Sequence, residues 1–585
     1  MSETALSIHD ATASMTAEGQ IFEIETVDIR GVATKAWKHA PRSLKAVLDL
    51  SLNHAAKDFI VYEDERYSFD DHYRRAATFA RRLAPVGVAL GDRVAIAARN
   101  LPEWAFTFWG TMAAGAIAVP LNAWWTGEEL AYGLRDSATK VLVVDEDRLG
   151  RIRPHLDELD ELTHVLVVSE RRGERPDLGA PHDRVTIMAF SDFLGEVASD
   201  ASCPDVEINP DDDATIFYTS GTTGNPKGVV GTHRNAVTNI MNLFFVGQRS
   251  TLRFGGGNVD ADGQSVQNSY LLTIPLFHAT GCLAVMTVNC ASGGKLVMVH
   301  HFDAGQALAL IERERITTFG GVPTIAMQIL DHPDFKSFDT SSVRSVSYGG
   351  APSPPELVRR IREAFPVGQP GNGYGLTETS AAVALNSGPD YVAKPTSCGP
   401  AIPVNDVAVV PEDFTGDEPT PDLPRGPEVT GELWIKGPNV VRGYWNKPDA
   451  TAATFTKGWL HSGDIARIDE DGFIHIVDRA KDMIIRGGEN IFCTEVEAAL
   501  FEHPDVADCA VIGVPHPVLG EEVGAVVVLR PGRKVDPEDL LSHARARLSR
   551  YMVPAHVFFR NEPLPRNPAG KILKRALRDE VVAKS

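Results

Sequence analysis

The sequence predicts an α/β protein, with a large N-terminal unit of several largely parallel sheets followed by a small α+β unit. Three observations carry this. Short uninterrupted apolar runs alternate with amphipathic helical patterns along most of the chain, as they do where helices cover buried parallel strands. Near residues 478–482 that alternation gives way to a compact helix–strand–strand–helix order. Of 585 residues, 43% are hydrophobic and 23% charged, the proportions of an ordinary globular chain. The length suffices for roughly three to four domains' worth of core.

The elements follow in order. Residues 94–98, 141–144 and 165–168 are continuous apolar runs, as strands buried on both faces are. The apolar stretch 108–121 contains glycines and Pro120 and is too short to span a bilayer. Thr215-Ile216-Phe217-Tyr218 reads as a strand ending in a loop. Asp303 opens a helix whose Leu308, Leu310 and Ile311 lead into a strand over 316–319, with Gln306 placed to complete a capping box. Ser353-Pro354-Pro355-Glu356 starts another helix, with Leu357, Val358, Ile361 and Phe365 on one face. Polar segments at 255–263 and 413–428 read as solvated loops. Beyond 482 come a helix over 494–501 with Thr494 and Glu497 as a capping box, strands over 510–514 and 525–529, and a helix over 537–548. Residues before about Val32 carry no readable motif. The expected units are therefore 1–31, an N-terminal extension; 32–480, the large domain; and 481–585, the small one.

Charge and cysteines limit the partners. A formal net charge of −21 argues against nucleic acid or an anionic membrane surface. An anionic substrate must then be held by local donors. The six cysteines form no CxxC pair and read as reduced thiols. Glu3, Asp10 and Glu18 stand where a secretory leader would need a basic start and an apolar run, so a cytoplasmic location is expected.

Four motifs carry chemistry. Tyr218-Thr219-Ser220-Gly221-Thr222-Thr223-Gly224-Asn225-Pro226-Lys227-Gly228 combines glycines, hydroxyls and one lysine. Glycines let backbone N–H groups approach an anion, hydroxyls add donors and the lysine adds charge, so the run is a phosphate holder. Its order is not that of a P-loop, and Pro226-Lys227-Gly228 places the lysine in a flexible loop. Asn372-Gly373-Tyr374-Gly375-Leu376-Thr377-Glu378 reads as a glycine turn around a ring able to lie on a purine, with Asn372 at its edge. Glu378 can hold Mg²⁺ together with phosphate oxygens. Trp459-Leu460-His461-Ser462-Gly463-Asp464, followed by Asp478-Arg479-Ala480-Lys481-Asp482, offers a carboxylate for ribose hydroxyls. Pro565-Arg566-Asn567-Pro568-Ala569-Gly570-Lys571 ends in a lysine that matters only if the small unit folds back on the large one.

Together with Gly431-Glu432-Leu433, these motifs in this order resemble the AMP-forming adenylating superfamily, which includes acyl-CoA synthetases, peptide-synthetase adenylation domains and beetle luciferases. The resemblance runs from about Asp49 to Arg578. It implies a small C-terminal domain that moves relative to the large one, and ATP, Mg²⁺ and coenzyme A as cofactor and cosubstrates. It also implies roles. Thr219, Ser220, Gly221, Thr222, Thr223, Gly224 and Lys227 would embrace the β- and γ-phosphates. Thr377 would contact the α-phosphate and Glu378 would hold the metal. Gly350, Ala351, Asn372, Gly373, Tyr374 and Gly375 would frame adenine, with Asp464 on the ribose and Arg479 nearby. Lys571 would bridge the carboxylate and α-phosphate, Lys481 would be the hinge, and Gly487, Gly488 and Glu489 would border the CoA tunnel. One departure is Asn567, where the family often has threonine.

Phe277, His278, Gly281, Tyr348 and Gly349 would border the acyl pocket. Phe277-His278-Ala279-Thr280-Gly281 offers no acid for an ammonium group, which argues against an α-amino acid substrate. Glycines at 281, 320–321 and 349–350 either leave room for a long chain or serve tight turns. The resemblance implies an acid–CoA ligase, with fatty acids first and aryl acids of the benzoate or coumarate type second. A luciferase-like oxygenase acting on its own adenylate is a further alternative. A non-enzymatic nucleotide-binding module would predict loss of Lys571 or Glu378, and both are present. The expected partners are a small-molecule acid and CoA, with no integral membrane segment; a homodimer is left open.

Overall fold

The computed structural model describes residues 6–219, 225–255, 257, 266–349, 355–420, 422–567 and 570–584. Two mainly parallel sheets form the centre. The seven-stranded sheet runs in space through Lys227–Thr232, Asp213–Thr219, Ile117–Pro120, Arg93–Ala97, Val141–Asp145, His164–Val168 and Thr186–Ala189. The eight-stranded sheet runs through Ala381–Ser387, Gln369–Leu376, Ser345–Gly349, Thr318–Gly321, Ser269–Leu272, Lys295–Met298, Asp58–Tyr62 and Glu65–Ser68. Between them lie the helices Phe69–Leu83 and Pro102–Ala113. Their buried residues join Ile96 and Val143 of one sheet to Ile60, Leu272 and Met298 of the other in one core.

Local sequence explains why these helices start where they do. Ser68 with Asp71, Thr126 with Glu129, and Thr232 with Asn235 each form reciprocal capping boxes. Pro102 stands in the first turn of its helix, where its missing N–H costs nothing. Asp303 accepts a hydrogen bond from the Gln306 N–H, which is half of the expected box. The outer face of the eight-stranded sheet is covered by helices Ala304–Arg313, Pro323–Leu330 and Pro355–Ala364, the last burying Leu357, Val358 and Ile361 as its periodicity requires.

A six-stranded antiparallel sheet follows, and its last strand, Phe473–Arg479, ends where the small unit begins. The small unit is a five-stranded sheet with helices Cys493–Phe501, Pro537–Arg545 and Lys574–Lys584. Here the expected cap at Thr494 is not formed. The helix begins one residue earlier, Thr494 Oγ1 donates to the Val477 carbonyl, and Glu497 accepts from the Val511 N–H and pairs with Lys574. Those tertiary partners take both side chains away from the helix end.

The N-terminal residues are not a featureless extension. Helix Ile8–Thr16 precedes an antiparallel hairpin, Ile24–Ile29 with Val32–Trp37, so a boundary at 31/32 would cut its turn. Phe22, Trp37 and Phe245 form an aromatic trio with centroids 5.4–5.6 Å apart, and Trp37 Nε1 donates to Asn242 at 2.8 Å. This packing partner lies some two hundred residues away, which no local pattern could reveal. No helix among the described residues is long and apolar enough to cross a membrane, and all six cysteines are free thiols.

Truncating this trio tests the docking of the N-terminal segment. Phe245→Ala should lower unfolding free energy by about 3–5 kcal/mol. Leu252→Ala, on the exposed side of the same helix, should shift the denaturation midpoint little. Equal midpoints for the two variants would show that the trio contributes no packing energy.

Candidate active site

The glycine- and hydroxyl-rich run joins two antiparallel strands of the seven-stranded sheet, with Tyr218 opposite Gly228 and Thr219 opposite Lys227. Lys227 therefore begins a strand, and the flexible-loop reading is corrected at that residue. Pro226 fixes the approach, and a Cβ on Gly228 would lie 2.7 Å from Ile216 Cγ2, so the glycine lets the strands close. Ser220, Gly221, Thr222, Thr223 and Gly224 lie outside the described residues, as do Gly350 and Ala351.

The base of that loop is pinned from outside. Tyr218 donates to Asp136 Oδ2 at 2.7 Å, Tyr132 donates to the Pro226 carbonyl at 3.1 Å, and the Trp445 N–H donates to the Gly228 carbonyl at 2.7 Å. Tyr444, next in chain, sits with its ring 5.0 Å from Lys227 Nζ and donates its hydroxyl to Glu378 Oε1 at 2.9 Å. One short segment, Arg442-Gly443-Tyr444-Trp445, thus ties the phosphate-type loop to Thr377-Glu378. Sequence reading missed it. The adjacent aromatics between a glycine and the polar Asn446-Lys447 were the available signal.

Asn372, Gly373, Tyr374 and Gly375 are not a turn but part of the strand Gln369–Leu376, which Thr377–Thr379 ends in a single 3₁₀ turn. The turn reading is corrected because the antiparallel strand Ala381–Ser387 pairs with all four residues and the parallel neighbour Ser345–Gly349 with Asn372 and Gly373. Tyr374 donates its hydroxyl to Asp464 Oδ2 at 2.7 Å. Asp464, 2% exposed, also pairs at 2.6 Å with Arg479, its direct partner across the antiparallel strands. Glu432 accepts from the Gly463 N–H at 2.8 Å, which holds the turn before Asp464.

The small unit folds back on this constellation. The tip at Gly570 has φ +79°, and a Cβ there would meet Val322 Cγ2 at 2.5 Å, so only glycine seats the tip on the large unit. Asn567, the departure from the family pattern, organises the tip: its Oδ1 accepts from the Lys571 N–H at 2.9 Å, and its N–H donates to the Lys571 carbonyl at 2.8 Å. Burial, then the neighbouring cations Arg479 and Lys481, hold the Lys571 ammonium down at about 8, against the pull of Asp464 and Asp482. Lys481 is itself lowered by burial. Lys571, Asp464, Arg479 and Lys481 therefore share one electrostatic site.

The remaining predicted residues sit apart or alongside. Gly487 and Gly488, with φ +62° and +93°, make the two-residue turn between Ile484–Arg486 and Glu489–Ile491, and Gly487 donates to the Leu519 carbonyl within the small unit. Phe277 and His278 follow the strand Ser269–Leu272, and Asn100 pins their turn by bonds to the Ile274 carbonyl and the Leu276 N–H. Burial pushes His278 down to about 4, so its imidazole is neutral, and its buried Nε2 has no described partner. Tyr348 is buried and bonds Tyr391 at 3.1 Å. Cβ atoms on Gly281, Gly320 and Gly349 would lie 2.4, 2.0 and 2.6 Å from backbone oxygens. Close backbone approach, not vacant space, requires those glycines.

Comparison with known proteins places this geometry. Residues 51–445 match the AMP-binding enzyme family and residues 495–571 its C-terminal domain. A feruloyl-CoA synthase of Amycolatopsis is 37% identical over 509 residues, covering 86% of this chain and 92% of the relative. A long-chain-fatty-acid–CoA ligase of Bacillus subtilis is 34% identical over 556 residues, covering 92% and 94%. Among solved structures, an anthranilate CoA ligase in complex with anthranoyl-AMP superposes with TM-score 0.80 at 25% identity, covering 93% of this chain and 98% of that one. ATP-bound MatB from Rhodopseudomonas palustris gives 0.77 at 28%, covering 92% and 99%. The chain belongs to the AMP-binding enzymes, in the AMP-forming acyl-CoA synthetase branch of the adenylating superfamily. It is an acid–CoA ligase working through an acyl-adenylate, with ATP, Mg²⁺ and CoA.

The lysine's environment gives a direct test. The free side chain titrates near 10.5 and the docked one near 8, so between those values the undocked loop binds more protons and docking strengthens as pH rises. Competitive acylation read by peptide mass spectrometry should show Lys571 half-reactive near pH 8, below the profile of a free lysine side chain. Coincident profiles would show that the tip is not docked in solution.

Proposed function

We propose that Lys571, Lys227 and Thr377 carry the first half-reaction. The substrate carboxylate oxygen attacks the α-phosphorus of ATP, the α–β bridging P–O bond breaks, and pyrophosphate leaves with the electron pair. Negative charge accumulates on the phosphoryl oxygens, and cations held in place beforehand stabilise it without reorganisation. Lys571 would meet the α-phosphate and carboxylate, Lys227 with the 219–224 run would take the β- and γ-phosphates, and Thr377 would donate to the α-phosphate. Glu378 suits Mg²⁺: one carboxylate oxygen is fixed by Tyr444, and such sites complete their coordination with substrate phosphates. The metal, when bound, neutralises charge on those phosphates.

Asp464 would accept from ribose hydroxyls, with Tyr374, Asn372, Gly373, Gly375, Gly350 and Ala351 around adenine. In the second half-reaction a CoA thiolate attacks the acyl carbonyl and AMP leaves. We assign that step to a second placement of the small unit, reached by rotation at Lys481 and bordered by Gly487, Gly488 and Glu489. The substrate is a carboxylic acid without an α-ammonium group, since residues 277–281 offer no acid to hold one. Free thiols support a reducing, cytoplasmic setting.

The single observation that carries these roles is the convergence of Lys571 on Asp464 and Arg479 from a separate folding unit. Lys571→Ala should slow acid-dependent ATP–pyrophosphate exchange on the order of 10²–10³-fold. It should leave thioesterification of a preformed acyl-adenylate largely intact. Equal loss in both assays would refute a role confined to adenylation.

A further inference from the structure

Directly after Thr377-Glu378-Thr379 the backbone leaves ordinary geometry. Ser380 has φ +49° and Ala381 φ +93°. Among the described residues no other two consecutive non-glycine residues have positive φ, and Ala381 lies well beyond the 48–52° of all the others. An L-residue keeps such a conformation only where its surroundings over-determine it, and residues of this kind cluster at functional sites. Here the pair joins the 3₁₀ turn that carries Glu378 to the strand Ala381–Ser387. The Ala381 carbonyl oxygen takes the space of a side chain on Gly375, whose Cβ would lie 1.5 Å from it.

Three fully buried asparagines hold this join. Asn439 Nδ2 donates to the Thr379 carbonyl at 3.0 Å and the Ala382 carbonyl at 3.2 Å, one on each side of the strained pair. Asn239 accepts from the Ala382 N–H at 3.0 Å and donates to the Leu283 carbonyl at 2.8 Å. Asn242 donates to the Ala382 carbonyl at 3.3 Å, and its Oδ1 accepts from Trp37 Nε1 of the N-terminal hairpin. The amide at Asn439 is kept at a cost. Its Oδ1 is buried without a partner among the described residues, a penalty that only the use of its two donors offsets.

The loop that carries Asn439 also grips Glu378. The Val441 N–H donates to the Glu378 carbonyl at 3.0 Å, and Tyr444 bonds the carboxylate. Asn235 anchors the loop by donating to the Pro438 and Val440 carbonyls at 2.7 and 3.1 Å. Asn439 therefore sets the spacing between the segment that holds the Glu378 side chain and the backbone that bears it.

We infer that Asn439 and Asn239, with Trp37 acting through Asn242, are positioning residues for Glu378, which they aim by holding Ser380 and Ala381 in the left-handed region. This goes beyond the ligase reading and rests on the assignment of Mg²⁺ to Glu378. Without the clamp, Ser380 and Ala381 relax to negative φ and the peptide planes after Glu378 turn. The carboxylate then loses the direction in which it meets a metal shared with phosphate oxygens. Groups that orient a metal-binding carboxylate govern metal affinity although they never touch the ion.

The test is ATP affinity of the full-length protein by titration calorimetry, in Mg²⁺ and in EDTA, whose ratio gives the metal's share of binding. Asn439→Ala should lower that ratio about tenfold and leave affinity in EDTA within about twofold. Trp37→Phe keeps a ring in the aromatic trio but loses the indole donor, and should lower the ratio about twofold. Adding Ala381→Gly to Asn439→Ala should restore the ratio about threefold or more, because glycine takes positive φ without strain. A merely structural role would weaken both affinities together and gain nothing from the glycine. If Asn439→Ala does not fold, Trp37→Phe decides alone. Glu378→Gln supplies the reference. A lowered ratio there with unchanged ratios in Asn439→Ala and Trp37→Phe overturns the inference, whereas an unchanged ratio in Glu378→Gln refutes the metal reading, and the inference with it.

Discussion

The site depends on where one buried carboxylate finds its partners. Asp464 is almost inaccessible, and a buried anion is tolerated only when paired and hydrogen-bonded. Its two bonds reach different elements: the Tyr374 hydroxyl from the eight-stranded sheet and the Arg479 guanidinium from the strand that leads into the small unit. Satisfying one charge therefore fixes the six-stranded sheet against the eight-stranded one. It also sets the point at which the chain departs for the C-terminal unit.

Around that carboxylate, polar anchors set positions and apolar packing supplies rigidity. Asp478, pushed up to about 6 by burial, accepts from the Cys493 N–H and so links the last strand of the large unit to the first helix of the small one. The Arg442–Trp445 segment does the same on the phosphate side, with Arg442 paired to Asp213 at the start of the strand that carries Tyr218. The second clamp joins parts of the chain distant in sequence and carries no motif of its own, while the first spans fifteen residues from the Asp478–Asp482 motif.

Much of this was legible in the sequence, for a physical reason. Residues suited to phosphate and ribose combine particular donors with glycine at fixed spacing, so the sequence singles out Thr219 to Lys227, Tyr374 to Glu378, Asp464 and Lys571 as candidates, and the fold brings Tyr374, Asp464, Arg479 and Lys571 together. Apolar runs located the strands of the large unit to within about two residues, whereas in the small unit Val506–His516 and Gly520–Leu529 run several residues beyond the expected 510–514 and 525–529. What failed were inferences from local propensity where tertiary partners decide. Lys227 entered a strand because Thr219 faced it, Thr494 gave up its cap for the Val477 carbonyl, and residues 372–375 were extended because the antiparallel strand Ala381–Ser387 paired with all four and a parallel neighbour with the first two. The N-terminal hairpin was invisible because its stabilising ring, Phe245, is so far along the chain.

The glycine seat at residue 570 has an energetic consequence. Gly570 meets Val322 without a side chain, so that point of contact buries little apolar surface. Docking also crowds Lys571 beside Arg479 and Lys481, an excess of positive charge over Asp464 and Asp482. The closed arrangement is thus under electrostatic load until an anion arrives, and linkage makes the effect reciprocal. Whatever factor a bound triphosphate adds to closure, closure adds to the retention of that triphosphate. On the proposed two-placement cycle, much of that shared free energy would go with departing pyrophosphate, and the enzyme's own product release would be the trigger that lets the small unit turn away.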